Sequence, residues 1–204
     1  MLYGMEKRWR MIATVASGAF LTLAFVQYLR PDFVQGIDAA IASAVAPLQT
    51  YAFVQGFLLV TALGDAAGVI AIALGATFFL RSHPGLLARL WLALAASTLV
   101  VNATKVVIAR ARPEALVWLD PLLSFSFPSG HAAAAATLFG FIAVASARLL
   151  SGRRRSLAIA LSLLLILGVG ASRIVIGAHF FSDVVGGYLA GIAFVALAFS
   201  VRAR

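Results

Sequence analysis

The sequence of 204 residues lacks cysteine and is poor in charged side chains. The absence of cysteine excludes disulfides, thiolate metal sites and a cysteine nucleophile. Charged residues make up only 11% of the chain, whereas hydrophobic residues make up 63%, and the mean hydropathy is +1.03. A soluble domain of this size needs a charged exterior, which so few charges do not supply. The composition therefore indicates a protein embedded in a membrane.

Long apolar runs divide the chain into six predicted membrane spans. A run of about 18 to 25 apolar residues is long enough to cross a hydrocarbon core of about 30 Å. Residues 32–55 are less apolar, and we expect them to lie along the membrane surface as a short amphipathic helix. The expected fold class is an all-α integral membrane protein with six transmembrane helices, a single domain over residues 1–204. The predicted spans are about 11–29, 57–80, 90–109, 131–150, 156–172 and 184–201.

The 16 lysines and arginines are distributed unevenly between the two sides of this layout. Eleven lie on the side of both termini, and five lie on the other side. The positive-inside rule therefore predicts an inner (plasma) membrane protein with both termini in the cytoplasm. The net charge of +9 is then mostly a topology signal, and nucleic-acid binding is not expected. The five outward cations are Arg30, Lys105, Arg110, Arg112 and Arg173.

Two of these cations stand at the outer end of the third predicted span. Lys105 lies at the end of an apolar run, where a charge costs at least about 2.5–3.5 kcal/mol. Arg112 follows seven residues later, so on a helix both cations share one face, and Pro113 is expected to end that helix. Alone, the pair is equally consistent with side chains that reach the membrane surface. Arg110 is interpreted as a lipid headgroup contact.

A Pro-Ser-Gly-His segment opens the fourth predicted span. Ser129 and Gly130 precede an alanine-rich helix, whose first backbone N–H groups favour an anion such as phosphate. An ordinary helix cap explains the serine equally well. His131, however, lies within one turn of that anion site and acts as an acid or base near neutral pH.

The segment between the last two spans contains a histidine and an aspartate. His179 and Asp183 are four residues apart, so on a helical turn they point the same way. The carboxylate fixes one ring nitrogen and leaves the other free to attack. Arg173 adds a bidentate phosphate donor. In a soluble core, the two residues could instead be a buried structural pair that satisfies its own hydrogen bonds. Ionisable residues in a membrane, however, are usually functional.

Two histidines and an aspartate could also bind zinc. Three nearby cations argue against this, because they repel a divalent ion and attract an anion. The grouping instead fits phosphoryl transfer without a metal or other cofactor, in which positioning and charge stabilisation provide most of the catalysis.

The three segments resemble the signature motifs of the type 2 phosphatidic acid phosphatase superfamily, which includes the vanadium haloperoxidases. The patterns K-x6-R-P, P-S-G-H and S-R-x5-H-x3-D are filled at every fixed position, from Lys105 to Pro113, from Pro128 to His131 and from Ser172 to Asp183. Residues 61–65 resemble a softer family feature, to which no catalytic role is assigned.

The resemblance implies roles for the matching residues. His179 would be the nucleophile, forming a phosphohistidine, and Asp183 would orient it. His131 would protonate the leaving oxygen and then activate water. The phosphoryl oxygens would be held by Lys105, Arg112, Ser129, Gly130 and Arg173.

The predicted function is therefore dephosphorylation of a membrane lipid at the periplasmic or extracellular face. Undecaprenyl diphosphate is favoured over phosphatidylglycerophosphate and phosphatidic acid. The expected partners are the lipid substrate and the bilayer, and no obligate protein partner is evident. A lipid-linked phosphotransferase remains an alternative. An anion transporter is less consistent with the sequence, because its charges would be spread through the bilayer, whereas here they gather at one face. A haloperoxidase would be soluble and longer. Trp9 and Trp118 are predicted interfacial anchors.

Overall fold

The fold is built from helices, as seen in a computed structural model that describes residues 2–113 and 124–201. Trp118, predicted to be an interfacial anchor, lies outside the described residues. Within the described ranges the chain forms eight α-helices. They are α1 (Leu2–Leu29), α2 (Asp32–Val45), α3 (Tyr51–Thr61), α4 (Ala66–Leu80), α5 (Pro84–Ile108), α6 (Gly130–Leu149), α7 (Gly152–Val175) and α8 (Phe181–Ser200).

Five of these helices are long and apolar enough to cross a membrane. They are α1, α5, α6, α7 and α8, and they correspond to five of the six predicted spans. Their apolar side chains point outward as well as inward, as in Leu99 and Leu164, because lipid rather than water is the solvent. The all-helical fold class expected from the sequence is confirmed.

The region between α1 and α5 differs from the prediction. The predicted span 57–80 is not one helix, because α3 and α4 are separated by a short 3-10 turn, Ala62–Gly64. Asp65 is extended at this break, and its carboxylate accepts a hydrogen bond of 2.7 Å from the backbone N–H of Gly68. This cap begins a new helix. The expected single surface helix over 32–55 is likewise two elements, since the helical stretches before and after residues 49–50 meet at 115°.

Small residues bring α8 directly against α6. A Cβ on Gly187 would lie 2.5 Å from the carbonyl oxygen of Ser129, and one on Gly191 would lie 2.5 Å from Cβ of Ala136. Neither position therefore admits a larger side chain without movement, and such small residues are typical of helix contacts in membranes. The close contact places the start of α8 beside the start of α6, where the backbone N–H of Ser129 donates to the carbonyl of Asp183 at 2.9 Å.

The two ends of the bundle differ in chemistry. At the end where α1 begins and α8 ends, the rings of Phe141 and Phe199 pack 4.8 Å apart, and Trp9 packs on Phe199 at 5.6 Å. Trp9, predicted to be an interfacial anchor, thus also packs within the bundle. At the opposite end, where α5 and α7 end and α6 and α8 begin, buried polar and charged residues gather. They include Lys105, Ser126, Ser129, Arg173, His179, Ser182 and Asp183.

Candidate active site

The residues of the three sequence motifs meet at this polar end. Lys105 and Arg173 lie in the last turns of α5 and α7. His131 and Asp183 lie in the first turns of α6 and α8. The loops that join these helices supply the remaining residues, Arg112, Ser129 and His179. The structure therefore brings together side chains separated by up to 78 positions, because four antiparallel spans have their ends at one level.

His179 is held between a carboxylate and a guanidinium. Its Nδ1 lies 3.5 Å from Oδ2 of Asp183, and its Nε2 lies 3.1 Å from Nη1 of Arg112. Because a guanidinium only donates hydrogen bonds, Nε2 must accept, so Nδ1 carries the proton and faces Asp183. Burial lowers the pKa of His179 to about 4, and the charge of Arg112 acts in the same direction, against the opposing contact with Asp183. The imidazole is neutral near pH 7, with the Nε2 lone pair directed at a cation.

The carboxylate of Asp183 is fixed from several directions. Oδ2 accepts from the hydroxyl of Ser126 at 2.5 Å and from the backbone N–H of Phe180 at 2.9 Å. Oδ1 accepts from Arg110 at 2.6 Å. The hydroxyl of Ser126 also lies 3.4 Å from Nδ1 of His179. A buried carboxylate with this many donors is held in one orientation.

Arg112 reaches the site from a loop rather than from a helix. The expectation that it shares a helical face with Lys105 is wrong, because α5 ends at Ile108 and Ala109 adopts a left-handed conformation with φ 48°. Arg112 instead donates to the carbonyl oxygens of Ser124 at 2.6 Å and Ala178 at 2.8 Å. These bonds fix the guanidinium beside His179.

Lys105 is buried and supports the loop before α6. Its Nζ lies 2.5 Å from the carbonyl oxygen of Phe125 and 3.5 Å from that of Ser126. The backbone N–H of Ser126 in turn donates to the carbonyl of Arg110 at 2.8 Å. The first sequence motif is thus joined, through backbone as well as side-chain contacts, to the loop that leads into the second. A direct contact of Lys105 with phosphate remains a prediction.

The start of α6 has the predicted cap. The hydroxyl of Ser129 accepts from the backbone N–H of Ala132 at 3.4 Å, and the helix begins at Gly130. His131 follows in the first turn and lies within electrostatic range of Arg173 and His179. The two histidines thus flank one positively charged region.

Arg173 has an unsatisfied donor in this region. Its guanidinium is buried, and Nη1 donates to the hydroxyl of Thr61 at 2.7 Å. Among the described residues, its Nε has no hydrogen-bond partner. Because a buried polar group without a partner is costly, this N–H is a candidate donor to a bound oxyanion.

The break between α3 and α4 also belongs to the site. Thr61 orients Arg173, and a Cβ on Gly64 would lie 3.2 Å from the carbonyl oxygen of His131. The stretch 61–65, to which the sequence assigned no catalytic role, therefore packs directly on catalytic candidates.

Sequence reasoning missed a second group of residues around Asp183. Arg110, interpreted as a headgroup contact, instead bridges Asp183 at 2.6 Å and Asp38 of α2 at 2.7 Å. Asp38 is 3% exposed. Its presence in an apolar stretch, where acids are rare, could have indicated a functional residue. Ser126 and Ser182 had no comparable signal, because serines are frequent in loops and at helix starts.

The donor set favours an anion. Arg112 lies 3.1 Å from Nε2 of His179, and the positive charge of Arg173 acts on both histidines. Within the described ranges, no group of three or more histidines, aspartates or glutamates is arranged to hold a metal ion. The arrangement can hold a tetrahedral oxyanion, present a neutral imidazole to it and offer a second histidine for proton transfer.

Comparisons with known proteins agree with this chemistry. The family model of the PAP2 superfamily matches residues 86–204. Phosphatidylglycerophosphatase B of Bacillus subtilis (strain 168) is 31% identical over 183 residues, which cover 85% of this chain and 86% of that protein. The crystal structure of a transmembrane PAP2-type phosphatidylglycerolphosphate phosphatase from Bacillus subtilis is similar, with a TM-score of 0.76 and 27% identity. The match covers 91% of this chain and 93% of that one.

Proposed function

The chain belongs to the PAP2 superfamily and is a membrane lipid phosphatase, and we propose that it hydrolyses phosphatidylglycerophosphate through a phosphohistidine on His179. The observation that carries the mechanism is the position of the His179 imidazole. Asp183 lies behind Nδ1, and the Nε2 lone pair faces Arg112 at 3.1 Å, the guanidinium that we assign to the phosphoryl oxygens.

In the first step Nε2 of His179 attacks phosphorus and the bond from phosphorus to the lipid oxygen breaks. Protonated His131 gives its proton to that leaving oxygen, which departs as the lipid alcohol. The positive charge that develops on the His179 imidazole faces the carboxylate of Asp183. In the second step His131 takes a proton from water, the hydroxide attacks phosphorus, and the N–P bond breaks to release inorganic phosphate and neutral His179.

Cationic and backbone donors stabilise the charge on the transferring group. Arg112 and Arg173 supply guanidinium N–H groups, and we assign Lys105, Ser129 and the Gly130 backbone N–H to the same oxyanion. Removal of one such donor from an oxyanion site typically costs about 100- to 1,000-fold in kcat. Electrostatic stabilisation of this size supports phosphoryl transfer without a metal ion.

Phosphatidylglycerophosphate is the first substrate to test because both similar proteins are phosphatases of this lipid. The sequence alone favoured undecaprenyl diphosphate, and that lipid remains the second substrate to compare. Both would enter the polar end of the bundle with the phosphate at the membrane surface and the apolar chains in the bilayer. The distribution of cations supports cytoplasmic termini and an active site on the opposite side of the membrane.

Phosphate release from purified protein in detergent tests this proposal. The substrates are phosphatidylglycerophosphate, undecaprenyl diphosphate, phosphatidic acid and a soluble phosphomonoester. We expect His179→Ala and His131→Ala to lose activity. His83→Ala is the matched control, because this third histidine lies at the start of α5, away from the site. Full phosphate release by both site variants would overturn the mechanism.

Trapping of the phosphorylated intermediate distinguishes the role of His179 as nucleophile from that of His131 as acid and base. Brief reaction with a substrate labelled in the phosphate should leave acid-labile, alkali-stable label on the wild-type protein and none on His179→Ala. Label that passes to an added lipid or sugar alcohol much faster than to water would favour the phosphotransferase alternative. Chelators are expected to leave the rate unchanged, and vanadate is expected to inhibit as a phosphate mimic.

A further inference from the structure

We infer that Asp38 and Arg110 form a positioning pair that couples the surface helix α2 to the catalytic carboxylate of Asp183. The inference rests on the proposed function and adds two residues outside the three sequence motifs. Neither residue lies where phosphate would bind in that function, so both would act through Asp183 rather than on the substrate.

Two buried carboxylates share the guanidinium of Arg110. Its Nη2 lies 2.7 Å from Oδ2 of Asp38, and its Nη1 lies 2.6 Å from Oδ1 of Asp183. The three side chains are 13%, 2% and 0% exposed, respectively. Removing one member of such a group leaves an uncompensated buried charge. With Asp38 neutralised, Arg110 would be attracted by Asp183 alone. The position of the guanidinium, and with it the orientation of the Asp183 carboxylate beside His179, would then change.

Asp38 also fixes the backbone beside Asp183. Its Oδ1 accepts from the backbone N–H of Ser182 at 2.9 Å, and its Oδ2 accepts from the Ser182 hydroxyl at 2.6 Å. The N–H of Ser182 belongs to the first turn of α8, where no intrahelical acceptor is available. Asp38 therefore caps α8 from another helix, 144 residues away in sequence. The same hydroxyl accepts from Gln27 of α1 at 2.8 Å, which extends the contact to a third helix.

This polar contact is also what holds α2 to the bundle. Asp38 is the single buried residue of α2, whereas Phe33 is 70% and Ile37 is 52% exposed. The fully buried contact of the helix is therefore a charged hydrogen-bonded pair, while its apolar residues are at most half-buried. Because only two residues separate the end of α1 from the start of α2, we expect its exposed apolar side chains to face the membrane boundary region. Docking of α2 and the orientation of Asp183 are thus set by the same bonds.

Steady-state kinetics of the full-length protein in detergent test the pair. We expect Asp38→Asn and Arg110→Gln each to lower kcat at least about tenfold with little change in KM, because each removes a hydrogen bond to a buried charged group. Arg110→Lys should restore part of the lost kcat. Asp32→Asn is the matched control, because Asp32 lies on the same helix and, within the described part of the chain, forms its ion pair with the exposed Arg30 at 2.9 Å.

The double variant distinguishes positioning from two separate effects. If the residues act as a pair, Asp38→Asn combined with Arg110→Gln should lose much less than the product of the single losses. Unchanged kcat in both single variants, or losses that multiply, would overturn the inference. A higher KM at constant kcat would also overturn it and would place Asp38 at the substrate headgroup.

Two further measurements distinguish the positioning role from a purely structural contact and from a failure of the proposed mechanism. Activity is expressed per folded protein, judged by gel filtration and thermal unfolding, so a loss that disappears after this correction indicates a purely structural contact and overturns the positioning role. If His179→Ala retains activity while Asp38→Asn loses it, the proposed mechanism fails and the pair acts on another centre. If His179→Ala is inactive and Asp38→Asn is unaffected, only the inference fails.

Discussion

Thr61 and Arg173 are 112 residues apart in sequence, yet the Thr61 hydroxyl accepts a hydrogen bond of 2.7 Å from Nη1 of Arg173. Both side chains are buried. The contact links the break between α3 and α4 to the guanidinium whose Nε has no partner within the described part of the chain. Thr61 is therefore expected to set the direction in which Arg173 donates to an oxyanion.

Thr61→Val tests this contact because the two side chains have the same shape. Without the hydroxyl, a buried donor of Arg173 loses its acceptor, at a cost of about 1–3 kcal/mol. We expect weaker vanadate inhibition and a higher KM. The check is the inhibition constant for vanadate. Thr104→Val is the control, since its hydroxyl bonds the carbonyl of Val100 within the same helix. Equal vanadate affinity in wild type and Thr61→Val would contradict the expectation.

Ser126 provides a second test, centred on the carboxylate. Its hydroxyl donates to Oδ2 of Asp183 at 2.5 Å and lies 3.4 Å from Nδ1 of His179. Hydrogen bonds to charged groups contribute about 1.5–3 kcal/mol, so Ser126→Ala should lower kcat about tenfold or more. KM should change little. The control is Ser162→Ala, a buried serine of α7 that bonds the carbonyl of Ala158. A kcat equal to that of the control would argue against a contribution of Ser126.

Local spacing predicted the parts of the site that lie within one turn. The i, i+4 relation of His179 and Asp183 placed the two side chains together, and the structure has them 3.5 Å apart. Ser129 at the start of an alanine-rich run predicted a cap, and the cap is present. The cap depends on helix geometry over a few residues, which the sequence displays directly. His179, in contrast, precedes α8 and reaches Asp183 from the loop, so the contact was predicted correctly although the helical turn assumed for it is absent.

Contacts between distant helices could not be predicted in this way. Asp38 bonds Ser182 and Thr61 bonds Arg173 across more than 100 positions. Nor does the sequence reveal the end of α5, because Ala109 favours helix and yet takes a left-handed conformation. Residues 57–80 are apolar almost throughout, so the helix cap at Asp65 that divides this stretch was not recognised from the sequence.

The close contact between Gly64 and His131 leads to a third prediction. A Cβ at position 64 would lie 2.5 Å from Cγ1 of Val169 and 3.2 Å from the carbonyl oxygen of His131. Gly64→Ala must therefore displace α6 or α7, and overpacking of this kind costs about 1–3 kcal/mol. We expect a lower unfolding temperature and a lower kcat. Gly75→Ala is the control, because a Cβ there meets nothing within 4 Å. Equal stability and kcat in the two variants would contradict this packing.

The pH profile of kcat/KM tests the charge state of His179. Burial, together with Arg112, lowers its pKa to about 4 from an ordinary value of 6.5. The imidazole attacks only when neutral, and it is neutral above its pKa. The acid limb that it governs should therefore lie below pH 6.5, with activity falling as the pH approaches 4.

Arg112→Gln removes a cation 3.1 Å from Nε2 of His179. The loss of this positive charge raises the pKa of His179, so the acid limb should move to higher pH, and kcat should fall about 100- to 1,000-fold because an oxyanion donor is lost. Arg30→Gln is the control, since Arg30 is an exposed cation paired with Asp32. A purely structural role for Arg112 would lower activity without moving the limb. An acid limb that stays in place or moves to lower pH would show that Arg112 does not act on the imidazole.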